Sequence, residues 1–189
     1  YSVCYVGCDV LCLLLFGFEF VDVFLLDWNL TLVKPLRETV DETWEQPWGE
    51  QREIRSHYNE LRLELAEAVP PHRVLAVVFR VFDDGLGFRY ELPAQENLTD
   101  FVVTNERTAF AFTGDHEAWW IPAYGDNRYE YLYTHSTLSD FEAAHTPLTM
   151  KTNDGLYLSL HEAALTDYAA MTLLGGENNT LHCDLVPWS

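Results

Sequence analysis

The sequence predicts an all-β sandwich built from antiparallel sheets. Three observations support this: many short runs alternate between apolar and polar residues, turn residues separate the runs, and no long helical segment lies between them. The chain of 189 residues suits one domain, and its 48% hydrophobic and 14% aromatic residues can form a substantial core. We therefore expect a folded domain and not a disordered acidic chain.

Two segments are typical of β-hairpins. The run Val74–Phe82 is rich in β-branched and aromatic residues, and Asp83–Gly85 separates it from the alternating run Phe88–Leu92. Asp-Gly between two such runs is a strong hairpin signal. The same pattern recurs in Pro147–Lys151, Asn153–Gly155 and Leu156–Leu160.

Shorter runs predict further strands, and one stretch stays ambiguous. Between residues 54 and 68, apolar residues recur at helical spacing, but Leu61, Leu63 and Leu65 also alternate with charged residues as in a strand. Periodicity alone does not decide between the two. The further predicted strands are Phe101–Thr104, Ala109–Phe112, Tyr129–Tyr133 and Thr180–Val186.

The charge of the chain excludes several classes of partner. Thirty acidic residues against eleven basic ones give a formal net charge of -19, so we expect neither a nucleic-acid partner nor binding to an anionic membrane surface. The longest apolar run, Val10–Phe18, is shorter than the roughly 20 residues that span a bilayer. No Lys or Arg precedes it, so no signal peptide is visible.

Two acidic residues are candidates for chemistry. On a strand, Glu130 would share one face with Leu132 while the neighbouring tyrosines share the other. An inward-facing carboxylate needs an arginine, a calcium ion or a solvent-filled pocket, whereas a solvated one needs nothing. His161 and Glu162 are adjacent. Such a pair serves as acid and base, as metal ligands or in a purely structural role. The HExxH spacing of zinc enzymes is absent.

Four indoles lie beside prolines and carboxylates. Such aromatic platforms stack on the apolar faces of sugars, yet tryptophan is also a common core residue, so both interpretations stay open. The four are Trp44, Trp48, Trp119 and Trp120.

Several long motifs, in order along the chain, resemble the amino-terminal domain of glycoside hydrolase family 97, a family of bacterial α-glucosidases and α-galactosidases. The resemblance covers residues 15–189, whereas residues 1–14 do not resemble the family and are interpreted as an atypical leader. The motifs are DETWEQPWGE (41–50), IRSHYNELRLEL (54–65), FRVFDDGLGFRYELP (79–93), AWWIPA (118–123), YEYLY (129–133) and DGLYLSLHEAALTDYAAM (154–171).

This resemblance implies a β-super-sandwich similar to galactose mutarotase, packed against a carboxy-terminal (β/α)₈ barrel that carries the catalytic acid and the base or nucleophile. It implies that this chain holds no catalytic residue, is inactive alone, and contributes to an enzyme that acts on oligosaccharides in the periplasm or outside the cell. In the glucosidase branch one sandwich glutamate joins barrel glutamates around a calcium ion; Glu130 matches it best and Glu162 is the second choice. The segment between Tyr133 and Met150 is shorter than in that branch, so the sugar stays open.

Two other functions compete with this interpretation. The chain could be a free-standing carbohydrate-binding module that uses the four indoles as platforms. It could also be a mutarotase-like epimerase, with His161 and either Glu162 or Glu130 as acid and base.

Overall fold

Almost all of the regular secondary structure in the described part of the chain is β-strand. The computed structural model describes residues 2–5, 11–15, 18–20, 23–26, 29–126, 129–163 and 165–186. One 3₁₀ turn, Leu138–Asp140, lies among the strands. The strands are β1 (Ser2–Tyr5), β2 (Leu11–Leu15), β3 (Phe18–Phe20), β4 (Val23–Leu26), β5 (Leu30–Glu45), β6 (Glu53–Glu67), β7 (Val74–Val81), β8 (Leu86–Glu91), β9 (Val103–Glu106), β10 (Ala109–Phe112), β11 (Glu117–Trp120), β12 (Thr134–Thr137), β13 (Ala143–His145), β14 (Leu148–Lys151), β15 (Tyr157–Glu162), β16 (Met171–Gly175) and β17 (Thr180–Leu185).

These strands form three antiparallel sheets. The large sheet has the order β12-β11-β14-β15-β1-β8-β7-β6-β5, the small sheet β13-β16-β17-β10-β2, and a three-stranded ribbon β4-β3-β9. The main core lies between the large and the small sheet, which confirms the predicted all-β sandwich. Its members come from both sheets and include Phe88, Phe110, Trp120, Met150, Leu158, Leu160, Leu173 and Leu181.

Both predicted hairpins are confirmed. In the first, the Phe82 N–H donates to the Gly85 carbonyl at 2.8 Å and closes the turn between β7 and β8. In the second, the Thr152 N–H donates to the Leu156 carbonyl at 2.8 Å between β14 and β15, and Gly155 adopts a φ of +95°. A glycine tolerates this left-handed backbone without steric cost, which explains why the Asp-Gly signal was informative.

The ambiguous stretch is a strand. β6 pairs with β5 on one side and with β7 on the other, and Leu61, Leu63 and Leu65 stand opposite Phe79, Val77 and Leu75. Hydrogen bonding to β5 and β7 therefore favours the strand over the helix, a choice that the sequence pattern alone does not make.

Three of the four shorter predictions correspond to strands. Ala109–Phe112 is β10, Thr180–Val186 is β17 with one residue fewer, and Phe101–Thr104 corresponds to β9, which begins two residues later. The fourth prediction is wrong, because Tyr129–Tyr133 forms no strand. Residues 1 and 6–10 of the predicted leader lie outside the described residues, and its boundary at residue 14 stays a prediction. No helix in the described ranges is long and apolar enough to span a membrane.

The hairpin of β5 and β6 extends beyond the rest of the large sheet, because β6 pairs with β7 only through residues 59–66. β5 is the outer edge of that sheet. Lys34, Pro35 and a register shift between Leu32 and Lys34 interrupt this edge. Charge, proline and bulges are the usual protection against edge-to-edge pairing with another chain.

A buried ion pair closes the connection between β6 and β7. Glu67 Oε2 accepts hydrogen bonds from the backbone N–H of Arg73 at 2.8 Å and from its Nε at 2.9 Å, and Oε1 accepts from Nη2 at 2.5 Å. Both side chains are buried. Burial alone raises the pKa of Glu67, but the bonds from Arg73 outweigh it and hold that pKa below its ordinary value.

We predict that Arg73→Met lowers the free energy of unfolding by about 3–5 kcal/mol, because it leaves a buried carboxylate without its charged partner. Urea denaturation measures this as a lower midpoint. The control is Arg52→Met at the exposed Arg52–Glu45 pair, which solvent screens and which should leave the midpoint nearly unchanged. Equal shifts in both variants would contradict the prediction.

Candidate functional site

Glu130 lies in an irregular loop, residues 121–133, that connects β11 to β12. The expectation that it faces inward from a strand is wrong, because its side chain is exposed and Leu132, its supposed inward neighbour, is 92% exposed. No described strand pairs with this segment. Instead the Tyr129 ring contacts His145 of β13, and Tyr131 contacts Gly125 within the loop. Asn127 and Arg128 lie outside the described residues.

The start of the loop is bonded to the small sheet. The Ala123 N–H donates to the Ala143 carbonyl at 3.0 Å, and the His145 N–H donates to the Ile121 carbonyl at 3.0 Å. Between them Pro122 forms an isolated bridge with Ala144. The loop therefore leaves the large sheet at β11 and is fixed at once on β13, an edge strand of the small sheet.

Tyr124 anchors the loop a second time. Its hydroxyl donates to the Asp184 carboxylate on β17 and lies 2.7 Å from Thr172 Oγ1 on β16. Burial and the Asp184 carboxylate both raise the pKa of Tyr124, so this hydroxyl stays a donor. Tyr124 has a φ of +63°, which shows that the chain turns sharply at this anchor.

Two tyrosines flank Glu130 and both are held. The Tyr129 ring lies on the His145 ring with 4.1 Å between centroids and 33° between planes. Tyr131 covers Gly125 so closely that a Cβ at Gly125 would lie 2.3 Å from the Tyr131 Oη. Glu130 itself makes no hydrogen bond or ion pair with any other described residue.

The site offers one carboxylate to a cation. No group of three or more His, Cys, Asp or Glu side chains is placed to hold a metal ion within the ranges that the structure describes. Asp126 is exposed in the same loop. Carboxylates of this kind are hard oxygen ligands that suit calcium, which takes six to eight of them. Glu130 fits a calcium site as one ligand, and the others would come from elsewhere.

Glu162, the second choice, has a different environment. It lies half-buried on β15, and its Oε1 accepts a hydrogen bond at 2.9 Å from the Met171 N–H of β16. Burial and, to a lesser degree, the nearby Glu106 raise the pKa of Glu162. His161 Nδ1 lies 3.0 Å from the backbone carbonyl of Glu162. This carboxylate joins the two sheets and is less accessible to a ligand than Glu130.

A buried cluster of hydroxyl groups surrounds Glu106 and was not predicted from the sequence. Glu106 is 4% exposed and accepts hydrogen bonds from Thr108 Oγ1 at 2.6 Å and from the Tyr168 hydroxyl at 2.7 Å. The Tyr90 hydroxyl lies 2.7 Å from Thr108 Oγ1. Burial raises the pKa of Tyr168 and of the Cys183 thiol, so both stay protonated. The residues of this cluster around Glu106 come from distant parts of the chain, so no local sequence motif identifies them.

The four indoles differ in access. Trp120 is buried and its Nε1 donates to Ser136 Oγ at 3.0 Å. Trp119 stacks on the His135 ring at 4.8 Å between centroids and also faces the Tyr157 ring at 6.3 Å, so neighbouring side chains occupy its faces. Only the two indoles of the hairpin β5–β6 are widely exposed: Trp44 and Trp48.

The chain also resembles known proteins. A sequence model described as "Glycosyl-hydrolase 97 N-terminal" matches residues 1–188. The chain belongs to the glycosyl-hydrolase 97 N-terminal family. The match explains why the motifs around Trp44, Glu130 and Glu162 occur in one chain.

Solved structures support this family 97 assignment. Two structures of a family 97 enzyme from Pseudoalteromonas sp. strain K8, one in complex with panose and one with acarbose, are 40% identical to the chain with a TM-score of 0.88. Each match covers 92% of this chain, and this chain spans only 26% of the length of the Pseudoalteromonas chain. A β-arabinopyranosidase structure matches with a TM-score of 0.81 at 19% sequence identity. The match covers 98% of this chain and 35% of the β-arabinopyranosidase chain. That likeness shows a shared fold.

A buried histidine of this family 97 domain is relevant to its pH response. His116 is 4% exposed, and neither ring nitrogen has a hydrogen-bond partner among the described residues. Burial lowers the pKa of His116, although Asp154 and Asp115 oppose the shift. The folded chain therefore resists protonation of this imidazole, while the unfolded chain takes up a proton near the ordinary histidine pKa.

We predict that the domain loses stability as the pH falls through the ordinary histidine pKa, and that His116→Leu reduces this loss. A lowered folded-state pKa means that the unfolded state binds more protons, so stability rises with pH in this range. The measurement is the free energy of unfolding at about pH 7.5 and at about pH 5.5. The exposed His57→Gln variant should keep the parental difference, and the same difference in His116→Leu would refute the prediction.

Proposed function

We propose that the chain is the substrate-pocket and calcium-supporting domain of an α-glycosidase, an α-glucosidase or α-galactosidase that acts on oligosaccharides. A carboxy-terminal (β/α)₈ barrel would carry the catalytic carboxylates, and the chain would be inactive alone. Membership of the family supports this, as do the relatives in complex with panose and acarbose. Export to the periplasm or the medium is part of the proposal and rests on the family resemblance.

The observation that carries the proposal is the surface of the loop 121–133. Glu130 is exposed there among large apolar side chains that are also exposed. Contiguous exposed apolar side chains usually mark an interaction surface. A catalytic domain that covers this surface would bury them and bring its own carboxylates near Glu130. The exposed side chains are Tyr124, Tyr129, Leu132 and Tyr133.

In the complete site we assign a limited set of tasks to this chain. Glu130 would supply one oxygen ligand to calcium, which when bound provides positive charge to polarise a substrate oxygen. The apolar side chains around Glu130 would exclude water from that region. The strongly negative chain attracts cations and disfavours anionic ligands, which suits neutral oligosaccharides.

A binding module remains the second candidate because of the hairpin β5–β6. Trp48 is 82% exposed at the tip of this hairpin, and Trp44 is exposed nearby. An exposed indole on a rigid hairpin is able to stack on the apolar face of a sugar. The two functions differ in whether the chain binds oligosaccharide without a partner domain.

We predict that the purified chain binds terbium, a luminescent substitute for calcium, only weakly, with a dissociation constant on the order of 10⁻⁴–10⁻³ M. Tyr129 and Tyr131 flank Glu130 and should sensitise the luminescence. Glu130→Gln should weaken binding at least about tenfold, because it removes the charged ligand. The control Glu142→Gln changes another exposed glutamate and should bind like the parent. Equal affinity in Glu130→Gln would remove Glu130 from the proposal.

We also predict that the chain releases no nitrophenol from nitrophenyl α-glucoside or α-galactoside, because the catalytic carboxylates are expected in the barrel. Titration with panose should leave its tryptophan fluorescence unchanged. A saturable change that disappears in Trp48→Ala would favour the binding module instead.

A further inference from the structure

Glu130 makes no hydrogen bond or ion pair with another described residue, so its position depends on how its neighbours are held. Tyr129 and Tyr131, the residues before and after it, are fixed at different points of the fold. A side chain between two fixed residues has few backbone conformations available. We propose that these contacts form a clamp that positions Glu130 before any metal or partner domain binds, an inference that rests on the proposed role of Glu130.

The first half of the clamp is the contact between Tyr131 and Gly125. A Cβ on Gly125 would lie 2.3 Å from Oη, 2.7 Å from Cζ and 2.8 Å from Cε2 of Tyr131. Real Cβ atoms do not approach other atoms so closely. Gly125 is not in the left-handed region, so the backbone conformation does not demand a glycine. A glycine is needed here because Tyr131 occupies the space that a Cβ would fill.

The second half of the clamp is His145. Its backbone N–H holds Ile121 at the start of the loop, and its ring holds Tyr129 near the far end. His145 lies on β13, opposite Thr172 of β16, and is therefore part of the small sheet. Its Nε2 is buried and has no hydrogen-bond partner among the described residues. One residue thus connects both ends of the loop to a rigid strand.

The clamp contributes to position more than to global stability. Tyr129 is 59% exposed and lies outside both apolar core clusters, as does Tyr131. Removing either ring therefore leaves the core intact. What it removes is the restriction on the backbone of residues 129–131, and restricting a loop in advance lowers the entropy cost of binding.

The test uses the full 189-residue chain in six forms: the parent, Gly125→Ala, Tyr129→Ala, Tyr131→Ala, the double variant Gly125→Ala/Tyr131→Ala, and Tyr133→Ala as the control. Tyr133 is an exposed tyrosine of the same loop that makes no hydrogen bond or ring contact with another described residue. Two quantities are measured: the backbone amide order parameters of residues 129–131 by NMR relaxation, which need no metal, and the terbium dissociation constant. Thermal melting checks that each variant is folded.

We expect Gly125→Ala and Tyr129→Ala to lower these order parameters from about 0.85 to below about 0.6 and to weaken terbium binding, while Tyr133→Ala changes neither. In the double variant, Gly125→Ala should add no further effect to that of Tyr131→Ala, because the atom that it collides with is gone. If Gly125→Ala does not fold, Tyr129→Ala still tests the clamp.

Two other results have separate meanings. Unchanged order parameters in folded Gly125→Ala and Tyr129→Ala would overturn the clamp, whatever the chain does with metal. Lower order parameters together with unchanged terbium affinity would support the clamp and overturn the assignment of Glu130 as a ligand.

Discussion

Closure of the sandwich along one edge is the constraint on which the candidate site depends. β11 and β12 both belong to the large sheet, and the loop 121–133 that connects them contacts β13 of the small sheet. Backbone hydrogen bonds at Ala123 and His145 fasten the loop to β13 as soon as it leaves β11. Because the two sheets share a packed apolar core, this edge cannot shift without opening that core. The loop that carries Glu130 is fastened to this edge at its start and, through the Tyr129 ring, near its end.

The chain keeps its acidic groups in two different environments. Glu67, Glu106 and Glu162 are buried or half-buried, and each has hydrogen-bond donors: Arg73, two hydroxyl groups and a backbone amide respectively. A buried carboxylate without such donors would be very costly. Glu130 has no such donor among the described residues, and it avoids the cost by remaining in water. Only this second kind of carboxylate is available to a new ligand.

The sequence was sufficient where local chemistry decides the structure. Asp-Gly turns between alternating runs gave both hairpins, because the turn residues set the backbone and the alternation sets the faces. It failed at Tyr129–Tyr133, where the same alternation occurs in a segment that pairs with no described strand. The importance of Gly125 was also hidden, since it depends on a ring six residues away. The buried cluster at Glu106 unites distant segments, and no local pattern contains that information.

The exposed apolar side chains and the exposed carboxylate of the loop 121–133 have opposite preferences on docking. Burying Leu132 and Tyr133 against a partner domain is favourable, roughly in proportion to the area removed from water. Burying Glu130 in the same step is unfavourable unless a cation accompanies it. In the proposed assembly, docking therefore increases the affinity for calcium, and calcium increases the affinity for the partner domain by the same factor. Glu130 alone is a poor metal site. Through this linkage, calcium binding at Glu130 would be required for stable docking of the partner domain.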